Sequence, residues 1–136
     1  MRLLLDTHAL LWWLNDDRKL GSQARVRIDN QANKVLVSIV SLWEIVLKVR
    51  INKLDGDVAQ IAREVSVAKF TLLQITSTHL VTLAGMQTLS DHKDPFDHLL
   101  IAQAINEDAI FVSQDRHVPS YPVKFLTCSD APQVPK

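Results

Sequence analysis

Cysteine is almost missing from this sequence. Cys128 is the only one, which excludes an intrachain disulfide and a cysteine-built zinc site and fits a reducing compartment. Glycine is scarce as well: three in 136 residues leave no Gly-rich phosphate loop and argue against a dinucleotide fold. There is no excess charge of either sign. Fifteen Lys and Arg balance fifteen Asp and Glu, so a general polyanion binder or a membrane coat is not expected, and any nucleic-acid contact must be local. No run of about 20 apolar residues exists to span a membrane. The apolar start Met1–Leu5 meets Asp6 and His8 too soon for a signal peptide. The expectation is a cytoplasmic protein. Disorder is excluded for the bulk of the chain, because 47% of its residues are hydrophobic.

What is present alternates. Arg2 to Leu5 is a short apolar run without a period, as in a buried strand, and Ala9 to Leu14 continues as a helix that Asp6 can cap. Ser22 is a plausible cap for a helix over 23–32. Val35 to Ser38 forms a second strand, followed by a helix, apolar nearly all round, over 42–49. Asp57 opens a helix to about Ala68, and Phe70 to Ile75 forms a third strand. A helix from Ser77 or Thr78 to about Gln87 follows. Asp94-Pro95-Phe96-Asp97 starts a helix to Asn106 with an N-cap acid and proline in the first turn. Strands over 109–112 and 122–125 complete the pattern. Alternating strands and helices imply a three-layer α/β/α sandwich around a central parallel sheet. Residues 1–126 read as one domain and 127–136, with Pro132 and Pro135, as a loose tail.

Ligands of open parallel sheets bind beyond the carboxyl ends of the strands. Asp6 follows the first strand and Asp115 the fourth, while Glu44 and Asp97 sit in helices that can face the same edge. Each has a plainer explanation. Asp6 caps a helix, Glu44 pairs with Lys48 four residues on, Asp97 complements a helix dipole, and Asp115 is a turn residue. Asp94 is kept as a cap alone. Jointly the four would repel unless a proton or a cation neutralises them. Carboxylate oxygens without cysteine or paired histidines select Mg²⁺ or Mn²⁺. Such an ion assists phosphodiester hydrolysis by activating water. His8, His79, His92 and His117 show no ligand spacing, and most are expected in solvent. Of Trp12 and Trp13, one is expected in the core and the other at a partner contact. Arg50, Lys53, Lys93 and Arg116 are candidate phosphate contacts, with ordinary surface favoured for each.

Four segments together carry a resemblance: Arg2-Leu3-Leu4-Leu5-Asp6-Thr7-His8-Ala9-Leu10, Ser41-Leu42-Trp43-Glu44-Ile45, Asp94-Pro95-Phe96-Asp97-His98-Leu99-Leu100-Ile101-Ala102, and Ser113-Gln114-Asp115. In this order the chain resembles PIN-domain ribonucleases, and most of all VapC-type toxins of toxin–antitoxin pairs. The resemblance implies an endoribonuclease that depends on Mg²⁺ or Mn²⁺ and leaves a 5′-phosphate and a 3′-hydroxyl. It also implies an RNA substrate, a cognate antitoxin that blocks the acidic cleft, and a homodimer. Carried over by position, the family's catalytic and metal-binding acids fall on Asp6, Glu44, Asp97 and Asp115. One departure is His98, where related sequences usually carry Arg. The rival expectation is a catalytically decayed binding module that docks a partner or RNA without cleavage.

Overall fold

The computed structural model describes residues 1–130. Within them, five strands form one all-parallel sheet in the order β3-β2-β1-β4-β5. The strands are β1 (Arg2–Leu5), β2 (Lys34–Ser38), β3 (Thr71–Leu73), β4 (Ile110–Val112) and β5 (Phe125–Leu126). Six helices connect them: α1 (Thr7–Leu14), α2 (Ser22–Asp29), α3 (Ile39–Arg50), α4 (Val58–Val67), α5 (Ser77–Ala84) and α6 (Pro95–Asn106).

The layers follow from side-chain alternation along β1. Leu3 and Leu5 face one way, into a core with Leu10 of α1, Ala24 and Ile28 of α2, and Ile61 and Val65 of α4. Leu4 faces the other way, against Leu100, Ile101 and Ala104 of α6 and Phe111 of β4. Both faces are thus covered, which is why Leu3, Leu4 and Leu5 are all completely buried and the strand shows no polar alternation. Helix α3 contributes Ile45 to the first core and Val40 to the second. No helix among the described residues is long and apolar enough to cross a membrane.

The chain runs from β1 outward to β2 and β3, then returns past β1 to β4 and β5. The direction of winding therefore reverses between β1 and β4. A crevice opens there at the carboxyl ends, because the connections leave on opposite sides.

Some boundaries differ from the sequence expectation. The third strand is limited to 71–73, the fifth lies at 125–126 rather than 122–125, and α5 ends at Ala84. Ser22 does not cap α2. The cap position is Gly21, whose missing side chain is replaced by Asp130. The Asp130 carboxylate accepts from the amides of Ser22 and Gln23, each at 2.9 Å, and from Ser22 Oγ at 3.0 Å. Cys128 is fully buried, and its carbonyl accepts from Gly21 N at 2.7 Å. The first part of the segment assigned to a loose tail is thus packed onto the domain, and 131–136 lie outside the described residues.

Candidate metal and nucleic-acid site

Asp6 is the first residue beyond β1. Its amide still donates to Val112 O at 3.0 Å, continuing the ladder with β4, while its Oδ1 caps α1 by accepting from Ala9 N at 2.7 Å. The capping explanation is therefore correct as far as it goes. The carboxyl is also buried and reaches Ser113 across the β1/β4 crevice. Burial raises its pKa, with the charge of Glu44 adding to the rise, while hydrogen bonds from Ser113 and Ala9 work against it.

Asp115 closes a turn after β4. Its amide donates to Ser113 Oγ at 3.1 Å, and its Oδ1 accepts from the His117 amide at 2.9 Å and faces His117 Nδ1 at 2.9 Å. Asp97 reaches the same place from the first turn of α6. The helix starts there because Asp94 accepts from Phe96 N at 2.9 Å and Pro95 presets the first turn. Asp94 and Asp97 thus divide the labour as expected, one as a cap and one turned inward.

The Asp97 and Asp115 carboxyls are hydrogen-bonded to each other, so one must carry a proton. Burial, the nearby Asp94 charge and the Asp115 carboxylate push Asp97 up to about 9. Asp115 is also penalised by burial, but the His117 amide, the Asp97 proton and the histidines outweigh this and hold it low. Asp97 is thus the protonated partner and Asp115 the ionised one.

Asp6, Asp97 and Asp115 line one open cavity of about 310 Å³ together with His8, Trp12 and Gln114. Another cleft, of about 340 Å³, lies by Trp13, Lys34 and Phe70. Lys34 begins β2, so this cleft is at the amino end of the sheet, away from the acids.

Glu44 does not line the acid cavity. It is buried in α3 behind Asp6, and both of its oxygens are engaged. Thr7 Oγ1 donates to Oε1 at 2.6 Å, and Lys48 Nζ lies 2.7 Å from Oε2. The i,i+4 pair with Lys48 is formed, but beside a buried carboxylate rather than on a solvated face.

The histidines are the main departure from the sequence expectation. Of the five, His8 alone is exposed, while His79 and His92 are buried. His79 Nε2 lies 2.9 Å from Glu107 Oε2, which ties α5 to the end of α6 far from the acids. His92 and His117 stack at 4.5 Å with their planes 5° apart, directly beside Asp115. His92 Nδ1 is 2.7 Å from Tyr121 Oη, and burial lowers its pKa, so the ring stays neutral near pH 7. His98 Nε2 donates to the His92 carbonyl at 2.7 Å, so it braces the loop before α6. Neither tryptophan is fully in the core: both are half-buried against it. Trp13 packs on Phe70 and donates to Asp29, and Trp12 borders the cavity against His8. Arg50, Lys53, Lys93 and Arg116 are all exposed.

Fold and site together define a parallel α/β/α domain with an oxygen-donor pocket at the carboxyl edge of its sheet. The sequence matches the PIN domain family over residues 3–124, and the chain belongs to that family. No curated protein matches by sequence. Among solved structures, it is similar to VapBC2 from Rickettsia felis bound to a DNA fragment from their promoter. The TM-score there is 0.70 at 15% identity, covering 93% of this chain and 98% of that one. It is also similar to VapBC-1 from nontypeable Haemophilus influenzae, with a TM-score of 0.60, 10% identity and coverage of 93% and 98%. A domain of a functionally unknown protein from Methanocaldococcus jannaschii gives 0.57 at 8% identity, covering 99% and 96%.

Proposed function

We propose that this protein is a VapC-type toxin: an endoribonuclease that hydrolyses RNA phosphodiesters with the help of Mg²⁺ or Mn²⁺. One observation carries the reading. Three carboxyls from the β1 end, α6 and the β4 exit line one cavity, where burial first, and then the charges of Asp94 and Asp115, keep a proton on Asp97 to about 9. Three carboxyls suit a hard dication, which would replace that proton as the neutralising charge. Asp6, Asp97 and Asp115 would hold it. Glu44 is assigned to the site through its place behind Asp6, with Thr7 and Lys48 fixing its orientation. When bound, the ion offsets charge building on the phosphoryl oxygens and makes water a nucleophile near neutral pH.

The chain's own groups do the positioning. Ser113 and the Ala9 amide orient Asp6, and the His117 amide orients Asp115. Trp12, beside His8 at 5.7 Å between ring centres and under Lys19, offers a face on which a base can stack. Among the described residues, none of the side chains that line the acid cavity is a hydroxyl or a thiol, so direct attack by water is the chemistry this pocket suits. An antitoxin partner belongs to the same reading. Trp43, Leu47 and Ile51 follow at four-residue steps along α3 and its cap, and all three are exposed. An apolar stripe of this kind suits a protein contact.

The test is incubation of the pure chain with a mixed RNA pool, with and without Mg²⁺ or Mn²⁺, followed by sequencing of the new 5′-phosphate ends. Wild type should cut only with the ion, and Asp97→Asn should lose about a hundredfold or more of the rate. A wild type that binds RNA but leaves it intact under every ion condition refutes the nuclease and favours the binding module.

A further inference from the structure

We propose that His92, His117 and Asp115 form a second metal site, for a borderline transition ion of the zinc class, that shares Asp115 with the acid pocket. The three residues offer one ligand atom each, all within 4.8 Å of one another. They come from the loop before α6 and the turn after β4, the two segments that border the β1/β4 crevice on its β4 side.

The two imidazoles are arranged as ligands usually are. Each turns one nitrogen toward Asp115 and the other away from it. His92 points Nε2 at Asp115 and its Nδ1 meets Tyr121 Oη at 2.7 Å, while His117 points Nδ1 at Asp115 Oδ1, 2.9 Å away, and its Nε2 faces Asp91. Contacts of this kind, on the far nitrogen, set the tautomer and aim the near nitrogen at a metal. Both Nε2 atoms are buried and lack a hydrogen-bond partner among the described residues. The His92 side chain is 4% exposed, so water does not readily replace the missing partner. Its Nε2 lies 3.2 Å from Asp115 Oδ2 and 3.5 Å from Asp97 Oδ2, in line with neither for a hydrogen bond. His117 Nε2 is 3.4 Å from Asp91 Oδ2, an exposed carboxylate on the side away from Asp115 that can orient the ring.

A buried nitrogen facing carboxylate oxygens without a hydrogen bond is an unmet demand. A cation between them meets it on both sides. Two imidazoles and a carboxylate favour Zn²⁺, Co²⁺ or Ni²⁺ over Mg²⁺, which prefers oxygen and keeps its waters. The stacked rings and the His98 brace on the His92 carbonyl hold the two nitrogens in place beforehand. Occupancy also draws on Asp115 Oδ2, so a zinc-class ion should antagonise RNA cleavage. That consequence rests on the nuclease reading, whereas the binding site itself does not.

The test titrates the tag-free full chain with Zn²⁺ by calorimetry and with Co²⁺ by its visible absorption, both in a large excess of Mg²⁺. One equivalent should bind. His117→Gln and Asp115→Asn should weaken binding about tenfold or more, and His8→Gln, at the exposed histidine, should not. Thermal melts without metal confirm that each variant is folded. No binding in excess Mg²⁺, or wild-type affinity in folded His117→Gln, overturns the site. A chain that binds Zn²⁺ by these criteria but cuts no RNA under any Mg²⁺ or Mn²⁺ condition refutes the nuclease reading and supports the site. Zn²⁺ binding that leaves Mg²⁺-dependent cleavage unchanged overturns the shared role of Asp115.

Discussion

Asp97 should make the metal-free protein less stable as the pH rises, and Asp97→Asn should remove the effect. The folded-state pKa is near 9 against an ordinary 3.8, so between these values the native chain holds a proton that the unfolded chain has lost. Stability then falls with rising pH, because the native state binds more protons than the unfolded state. His92 works in the opposite sense below 6.5, where its lowered pKa means that the unfolded chain takes up a proton the native chain refuses. Cys128 complicates the range toward 9, since burial keeps its native thiol protonated while the unfolded thiol ionises. The clean window is therefore about pH 6.5 to 8. A full proton difference across it would cost about 2 kcal/mol, which the partial exposure of Asp97 and its sharing with Asp115 reduce to about 1 kcal/mol. For a chain of this length that is about 3–5 °C in Tm. Asparagine keeps a donor toward Asp115 and has no proton to lose, so its curve should be flatter by that amount. Asp6, also raised by burial, adds a decline that the substitution leaves in place. The assay is calorimetry of both proteins with chelator at several pH values in the window. Parallel Tm curves would refute the assignment of the shared proton to Asp97.

Three further outcomes are expected. Saturating Mn²⁺ at about a hundred times its Kd should stabilise wild type by about 2–3 kcal/mol at pH 7.5 and leave Asp6→Asn and Asp97→Asn nearly unmoved, read as Tm shifts; equal shifts in all three would place the ion elsewhere. Lys48→Met should destabilise the fold by about 1–3 kcal/mol in urea denaturation, since Glu44 is buried and keeps only Thr7 as a partner, and a neutral result would mean that the pair is dispensable. Cys128 should not react with a thiol reagent in the native state, because the thiol is buried and burial raises its pKa, and should react at once in denaturant.

The parts of the fold that could be read in advance are those governed by local rules. Leu3-Leu4-Leu5 is buried on both faces because helices cover both sides of the sheet, and an apolar run without a period says as much. Asp94-Pro95 begins α6 as capping chemistry requires. Asp6 and Asp115 stand where the sequence put them, directly beyond β1 and in the turn after β4. The α2 cap could not be found in this way. Asp130 lies 108 residues from Ser22 in sequence, and only tertiary packing brings its carboxylate to the helix start. Glu44 shows a subtler failure. Its apolar flanks correctly implied burial, but nothing in the spacing showed that Thr7 and Lys48 would occupy both of its oxygens.

The histidines were missed because spacing was the wrong signal for them. Ligand pairs at fixed short intervals belong to one helix or one loop, whereas His92 and His117 stand 25 positions apart on two segments that flank α6 and β4. What joins them is the switch point. The chain must enter α6 and leave β4 beside the same crevice, so a polar residue in either loop is directed toward the acids. His92 precedes the α6 cap by two residues, and His117 follows Asp115 by two. Both distances are short enough to keep the ring against the pocket wall, and neither resembles a ligand motif. The same geometry accounts for the buried His92 and half-buried His117 beside Asp115. The loops that bring Asp97 and Asp115 together bury His92 against that wall, and a neutral His92 ring tied to Tyr121 through Nδ1 tolerates burial better than a charge would.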